Sequence, residues 1–182
     1  RAALLPHIWL SDEESRQGQR LLEQLPDKAG TPPIALHPYA THPDKAWKEA
    51  YWRQLVELFE SRGIPWIVIG RGSGMEGIPA SRNFTNRTSL RETCALLKSS
   101  SLLITGDSGP MHLAGAVGTP VLALFGPTTE EWGFFPAGPK DRVLESQLDC
   151  RPCTLHGKKH CDRNHACMQS ITPEQVMRAL DE

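Results

Sequence analysis

Long apolar runs are missing from this chain. The longest, Ile64 to Ile69 and Val121 to Phe125, are far too short to cross a bilayer. Charge of one sign is missing as well: 20 Lys and Arg stand against 21 Asp and Glu, a net charge of −1. That balance gives no electrostatic footprint for nucleic acid or an anionic membrane, so contact with a membrane is expected to be peripheral at most. No methionine opens the chain and no signal-peptide pattern precedes the first helix, so it reads as a piece of a longer protein. Cysteine is nearly absent from the first two thirds, where Cys94 stands alone, and crowds the rest as Cys150, Cys153, Cys161 and Cys167. A small secreted domain stapled by disulfides would spread its cysteines across the fold. A cytoplasmic protein with reduced thiols is the expectation.

What is present suits one domain: 182 residues are enough for a proper core, and 39% apolar with 23% charged residues is ordinary for a soluble fold. Its centre is the stretch Ile104 to Ala114. Leu102 to Thr105 predicts a short buried strand, Met111 to Val117 a helix stopped by Gly118, and Gly106-Asp107-Ser108-Gly109 a tight turn between them. Strand, turn and helix in that order form the phosphate-binding unit of open α/β sheets. Unpaired N–H groups at a helix start carry partial positive charge, and glycine lets an anion approach the main chain. Asp107 adds a carboxylate for sugar hydroxyls, and His112 lies one turn further in. The same residues also fit a plain helix cap by Asp107 or Ser108.

On either side the pattern alternates. Ser11-x-x-Glu14 fits a capping box ahead of Leu21, Leu22 and Leu25. Ile34 to His37 predicts a strand, Trp47 to Arg62 a helix, Pro65 to Gly70 a strand, Thr88 to Leu97 a helix, and Pro120 to Phe125 a strand. Arg142 to Leu144 reads as an edge strand, and Thr172 opens a last helix with Pro173 at its first position. Alternation of this kind predicts a Rossmann-like α/β domain, a parallel sheet with helices on both faces. Ligands then sit outside the carboxyl ends of the strands. The loops at Tyr39–Lys45, Arg71–Glu76, Gly106–Gly109 and Gly126–Thr129 all fall on that rim.

Thr105-Gly106-Asp107-Ser108-Gly109-Pro110-Met111-His112-Leu113-Ala114, Gly118-Thr119-Pro120 and Leu124-Phe125-Gly126-Pro127-Thr128 resemble the signature of glycosyltransferase family 9, the ADP-heptose:lipopolysaccharide heptosyltransferases. Leu36-His37-Pro38 followed by Lys45-x-Trp47, and Ser170 to Val176, agree with it. The resemblance implies the C-terminal, nucleotide-sugar-binding half of a two-domain GT-B enzyme. Residues 1–10 would be the remnant of the interdomain linker and 11–182 the donor-binding domain. It places Lys45 on the diphosphate, and the Gly106–His112 turn on phosphates and sugar, with Ser108 and Gly109 donating, Asp107 accepting, and Met111 and His112 alongside. It places Glu76 near the ribose and Thr88 by the adenine. The reaction implied is cofactor-free inverting transfer from an ADP-sugar, with ADP-heptose as donor, to a lipopolysaccharide core acceptor at the inner face of the inner membrane. The family's general base, an aspartate of the other half, has no counterpart here, so this chain alone is expected to transfer no sugar. A stand-alone nucleotide-binding module without transfer activity remains the alternative, and a sugar-nucleotide epimerase of similar architecture a third reading. Taken singly, Lys45 and Glu76 also read as solvated surface charges and His112 as an ordinary helix histidine.

The cysteine segment, residues 150–167, stands apart. Cys150-x2-Cys153-x7-Cys161-x5-Cys167 brings four thiols within eighteen residues, with His156, His160 and His165 interleaved. Cys-x2-Cys is the bite by which two thiolates grip one tetrahedral ion, and four ligands would close a structural zinc site. Disulfides formed on handling, or four free thiols, fit the same residues. A structural ion of this kind is expected away from the ligand rim.

Overall fold

The computed structural model describes residues 6–26, 30–132, 134–155 and 160–181. Five strands, β1 Ile34–His37, β2 Trp66–Val68, β3 Leu102–Gly106, β4 Val121–Phe125 and β5 Arg142–Glu145, form one sheet in the order β2-β1-β3-β4-β5. Every pairing is parallel. The helices are α1 Asp12–Leu22, α2 Glu49–Arg62, α3 Leu90–Lys98, α4 Gly109–Val117, α5 Ala166–Gln169 and α6 Pro173–Asp181. This is the Rossmann-like architecture expected from the alternation of apolar segments. In this strand order the crossovers reverse direction between β1 and β3, which opens a crevice at their carboxyl ends.

Side chains alternate across each strand, and the two sets feed two cores. Ile34, Leu36, Trp66, Val68, Ile104, Leu122 and Leu124 face α2 and α6, where they meet Trp52, Leu55, Phe59, Val176 and Met177. Ala35, Ile67, Leu103, Val121, Ala123 and Phe125 face the other way, onto Leu96 and Leu97 of α3 and Met111 and Ala114 of α4. A strand buried on both faces has no polar face to show, which is why β1, β2 and β4 read as continuous apolar runs.

Helix starts follow the sequence closely. Ser11 and Ser89 each accept a bond from the third amide of their helix, and Glu14 and Glu92 reach back to complete capping boxes. Two segments depart from expectation. β2 is shorter than the Pro65–Gly70 segment: the Ile69 amide still bonds across to Leu36 O, and Gly70, with φ +122°, turns the chain out just beyond it. The aperiodic cysteine segment holds a four-residue helix, α5, too short to show a period. Of the expected linker remnant, residues 1–5 lie outside the described residues. Ile8 N donates to Ala116 O, and Trp9 O accepts from Arg91, so residues 6–10 lie along the domain.

Candidate functional site

The rim is built where the strands run out. β1 ends in His37, β3 in Gly106 and β4 in Phe125, and each loop that follows starts with small or polar residues. The register sets His37 opposite Thr105. His37 Nδ1 lies 3.0 Å from Thr105 Oγ1 and 3.3 Å from Ser108 Oγ, and the two hydroxyls are 2.8 Å apart. Burial pushes the His37 imidazole down to about 4, so the ring is neutral near pH 7. A histidine of the unfolded chain protonates near 6.5, so burying this ring is free of penalty above that value and costs stability as the pH falls towards 4.

Lys45 reaches the same crevice from the 3-10 turn Pro43–Lys45 after β1. Its ammonium lies 2.6 Å from Asp107 Oδ2, with both side chains nearly enclosed at 14% and 12% exposure, so it is no ordinary solvated lysine. Thr128, in the loop after β4, donates to the same oxygen at 3.0 Å. Among the described bonds Asp107 Oδ1 accepts none. α4 begins beside this pair with Pro110 in its first turn, and Gly118 ends it in the left-handed conformation. Ser108 stands at the N-cap but makes no capping bond with its side chain. Among the described residues the Gly109 amide has no acceptor. One cation, one carboxylate and one helix start thus meet at the crevice, an arrangement that can hold an anion and a hydroxyl-bearing group together.

The structure brings Lys45, Asp107, Ser108 and Gly109 together, and the remaining candidates make no described hydrogen bond to the Lys45–Asp107 pair. Met111 turns its side chain into the sheet core, 1% exposed, and its amide donates to Ser108 O. It can meet a ligand only through the main chain, because α4 needs an apolar residue on its sheet side. His112, next along, faces solvent. Glu76 is exposed in the loop after β2. Thr88 precedes the α3 cap, its hydroxyl 2.9 Å from that of Thr93. No described hydrogen bond joins Glu76, Thr88 or His112 to the Lys45–Asp107 pair.

Two groups at the rim escaped the sequence reading. One is His37, present in the motif but given no role. The other is Arg151, whose guanidinium donates to Gly126 O, Ser146 O and Thr128 O and pairs with Glu145 at 2.7 Å while only 5% exposed. It fastens the cysteine segment to the loop that carries Thr128. Cys153 N adds a bond to Pro127 O, and His165 Nε2 lies 2.7 Å from Asp44, beside Lys45. Asp44 also has His42 Nδ1 at 3.3 Å, though without hydrogen-bond geometry.

The cysteine segment therefore backs the rim, where the sequence reading set it apart. Buried carbonyls at the strand ends need donors, and Arg151 supplies them from that segment. Cys150, Cys153, Cys161 and Cys167 are not joined in disulfides, and they line one cavity of about 240 Å3 with Asp44 and His165. Burial raises the Cys167 thiol above its ordinary value. Among the described residues no three His, Cys, Asp or Glu side chains are clustered to hold an ion. His156 lies outside the described residues.

The profile of glycosyltransferase family 9 (heptosyltransferase) matches residues 6–162. Lipopolysaccharide heptosyltransferase 1 of Pseudomonas aeruginosa is 35% identical over 153 residues, 76% of this chain and 40% of that protein. Among solved structures, ADP-heptose lipopolysaccharide heptosyltransferase II of Escherichia coli superposes with a TM-score of 0.75 at 24% identity, covering 100% of this chain and 54% of the other. The dodecameric iron-containing heptosyltransferase TibC, in complex with ADP-D-beta-D-heptose, gives 0.67 at 23% identity over 86% of this chain and 45% of its own. The chain spans about half the length of the relatives it matches.

Proposed function

The chain belongs to glycosyltransferase family 9, and on that premise we propose that it is the donor-binding, C-terminal half of an inverting heptosyltransferase of lipopolysaccharide core synthesis. The observation that carries this reading is the enclosed Lys45–Asp107 pair beside the start of α4. A nucleoside diphosphate laid across the crevice meets the Lys45 ammonium and the Gly109 amide. Asp107, held by Thr128 through Oδ2, keeps Oδ1 for a sugar hydroxyl. In transfer, an acceptor hydroxyl attacks the anomeric carbon as ADP leaves. Charge then builds on the leaving diphosphate, and Lys45 with the helix start stabilises it there. The general base and the lipopolysaccharide core acceptor belong to the other half, at the cytoplasmic face of the membrane. No helix among the described residues is long and apolar enough to cross one. The relative that carries ADP-heptose supports the choice of donor.

Calorimetry with ADP tests the site. Wild-type protein is expected to bind, and Lys45→Ala to bind more weakly by about 1–3 kcal/mol, the range for hydrogen bonds to charged groups. Equal affinity in the two proteins removes Lys45 from the site; no heat from the wild type at millimolar ADP overturns the reading.

Transfer needs no metal in this scheme, and a structural ion is a separate proposal. Four thiols around one cavity form a soft donor set, suited to zinc or iron once they draw inward as thiolates. A relative described as iron-containing supports that assignment. Protein purified without chelator is expected to hold close to one equivalent of zinc and iron together. Less than about a tenth of an equivalent retires the site.

A further inference from the structure

Among the described residues three helices start at a serine, and one of the three serines does not cap. Ser11 and Ser89 turn their hydroxyls onto the third amide of α1 and α3. That is the preferred use of a serine at this position. Ser108 stands at the same position of α4 and is also extended, though at φ −155° and ψ 165° where Ser11 and Ser89 have φ −65° and −69°, and its side chain makes no capping bond. Its hydroxyl points inward instead, to Thr105 Oγ1 at 2.8 Å and His37 Nδ1 at 3.3 Å. The serine has been drawn off its own helix by partners that belong to two neighbouring strands.

We infer that His37 is a positioning residue for the start of α4: with Thr105 it holds the Ser108 hydroxyl inward, so that the first turn stays open to the diphosphate. This rests on the donor reading above for the ligand, though not for the geometry. His37 is fixed from every side. It is 6% exposed, the register sets it across from Thr105, and the Tyr39 ring meets it edge-on at 5.6 Å. Gly70 passes so close that a Cβ there would lie 2.6 Å from the ring. A ring so confined presents Nδ1 at one place, which a rotating hydroxyl can find. Thr105 Oγ1 is the bridge, within reach of both His37 Nδ1 and Ser108 Oγ. Cut at either end, the chain of bonds lets Ser108 turn back to cap α4 and crowd the position a phosphate oxygen would take.

Two substitutions separate positioning from packing. His37→Asn keeps a polar atom near the place of Nδ1, whereas His37→Leu fills the same space without one. Packing alone favours leucine, so the leucine protein would then melt higher and bind ADP no worse. Positioning predicts the reverse in binding: ADP dissociation constants within about threefold of wild type for His37→Asn, and at least tenfold weaker for His37→Leu. A second readout uses no ligand. Three-bond couplings of Ser108 are expected to report one inward rotamer in the wild type and in His37→Asn, and a capping or averaged rotamer in His37→Leu. Failure of the wild type to bind ADP would overturn the donor reading and leave this readout to decide the role of His37. If His37→Leu does not fold, Thr105→Val cuts the same chain at the bridge and is expected to shift the Ser108 couplings likewise. An unchanged Ser108 rotamer in the leucine or valine protein overturns the inference.

Discussion

Replacing Arg151 by methionine is expected to cost at least about 3 kcal/mol of folding stability and to loosen ADP binding in the protein that remains folded. The magnitude follows from what the guanidinium leaves behind. Its donors serve the carbonyls of Gly126, Ser146 and Thr128, and it neutralises Glu145 from a position 5% exposed. Methionine replaces the stem and none of the bonds, so three carbonyls lose their donor, each worth about 1–3 kcal/mol where water cannot enter. The Glu145 contribution is smaller, because that side chain is 29% exposed and water screens the pair. Arg151→Lys is expected to recover little, since a single ammonium cannot reach three carbonyls that a planar fork spans. Glu145→Gln, the control, is expected to cost under about 1 kcal/mol. The effect on binding runs through the loop: Thr128 both accepts from Arg151 and donates to Asp107, which holds Lys45. Urea unfolding and ADP calorimetry on the three variants check the expectation. A midpoint for Arg151→Met within the error of wild type would show that the strand-end carbonyls find other donors.

The helices and strands were legible because each carries its own chemistry. Ser11 and Ser89 announce α1 and α3 through a glutamate three residues on, and Gly63 and Gly118 end α2 and α4 in the left-handed conformation, as their sequence positions implied. The turn from Gly106 to Gly109 was legible for the same reason. The order of the strands was not. Alternation says that strands are parallel, but it does not say that β3 returns beside β1, and that return creates the crevice. Nor does any local pattern join Lys45 to Asp107, sixty-two residues away. The motif resemblance proposed both, and the geometry supplies the contact between them. Met111 shows the opposite failure: membership of a motif says nothing about which way a helical side chain points, and this one points into the core. Arg151 and His165 lay hidden in a segment without period, where nothing foretold that one would clasp strand-end carbonyls and the other Asp44.

Gly70→Ala is expected to destabilise the fold by about 2–6 kcal/mol and to disturb the rim more than any substitution of an exposed loop residue. Two costs add here. The first is conformational: Gly70 has φ +122°, a region that residues with a Cβ scarcely enter, at about 1–3 kcal/mol. The second is steric. A Cβ at this position would lie 2.6 Å from His37 Cδ2 and 2.7 Å from Tyr39 Cδ2. Neither ring can step aside cheaply, since His37 is tied to Thr105 and the Tyr39 hydroxyl lies 2.7 Å from that of Thr85. Overpacking against groups so held costs about 1–3 kcal/mol more. Gly74→Ala isolates the first cost: its φ is +83°, and a Cβ there meets nothing within 4 Å. Gly74→Ala is therefore expected to lose only about 1 kcal/mol. If the loss at Gly70 is larger because His37 is pushed, then Gly70→Ala should also shift the Ser108 couplings, and Gly74→Ala should not. Equal losses at the two glycines would mean that the rings yield, and that the strand-end loop grips His37 less firmly than its close approach implies.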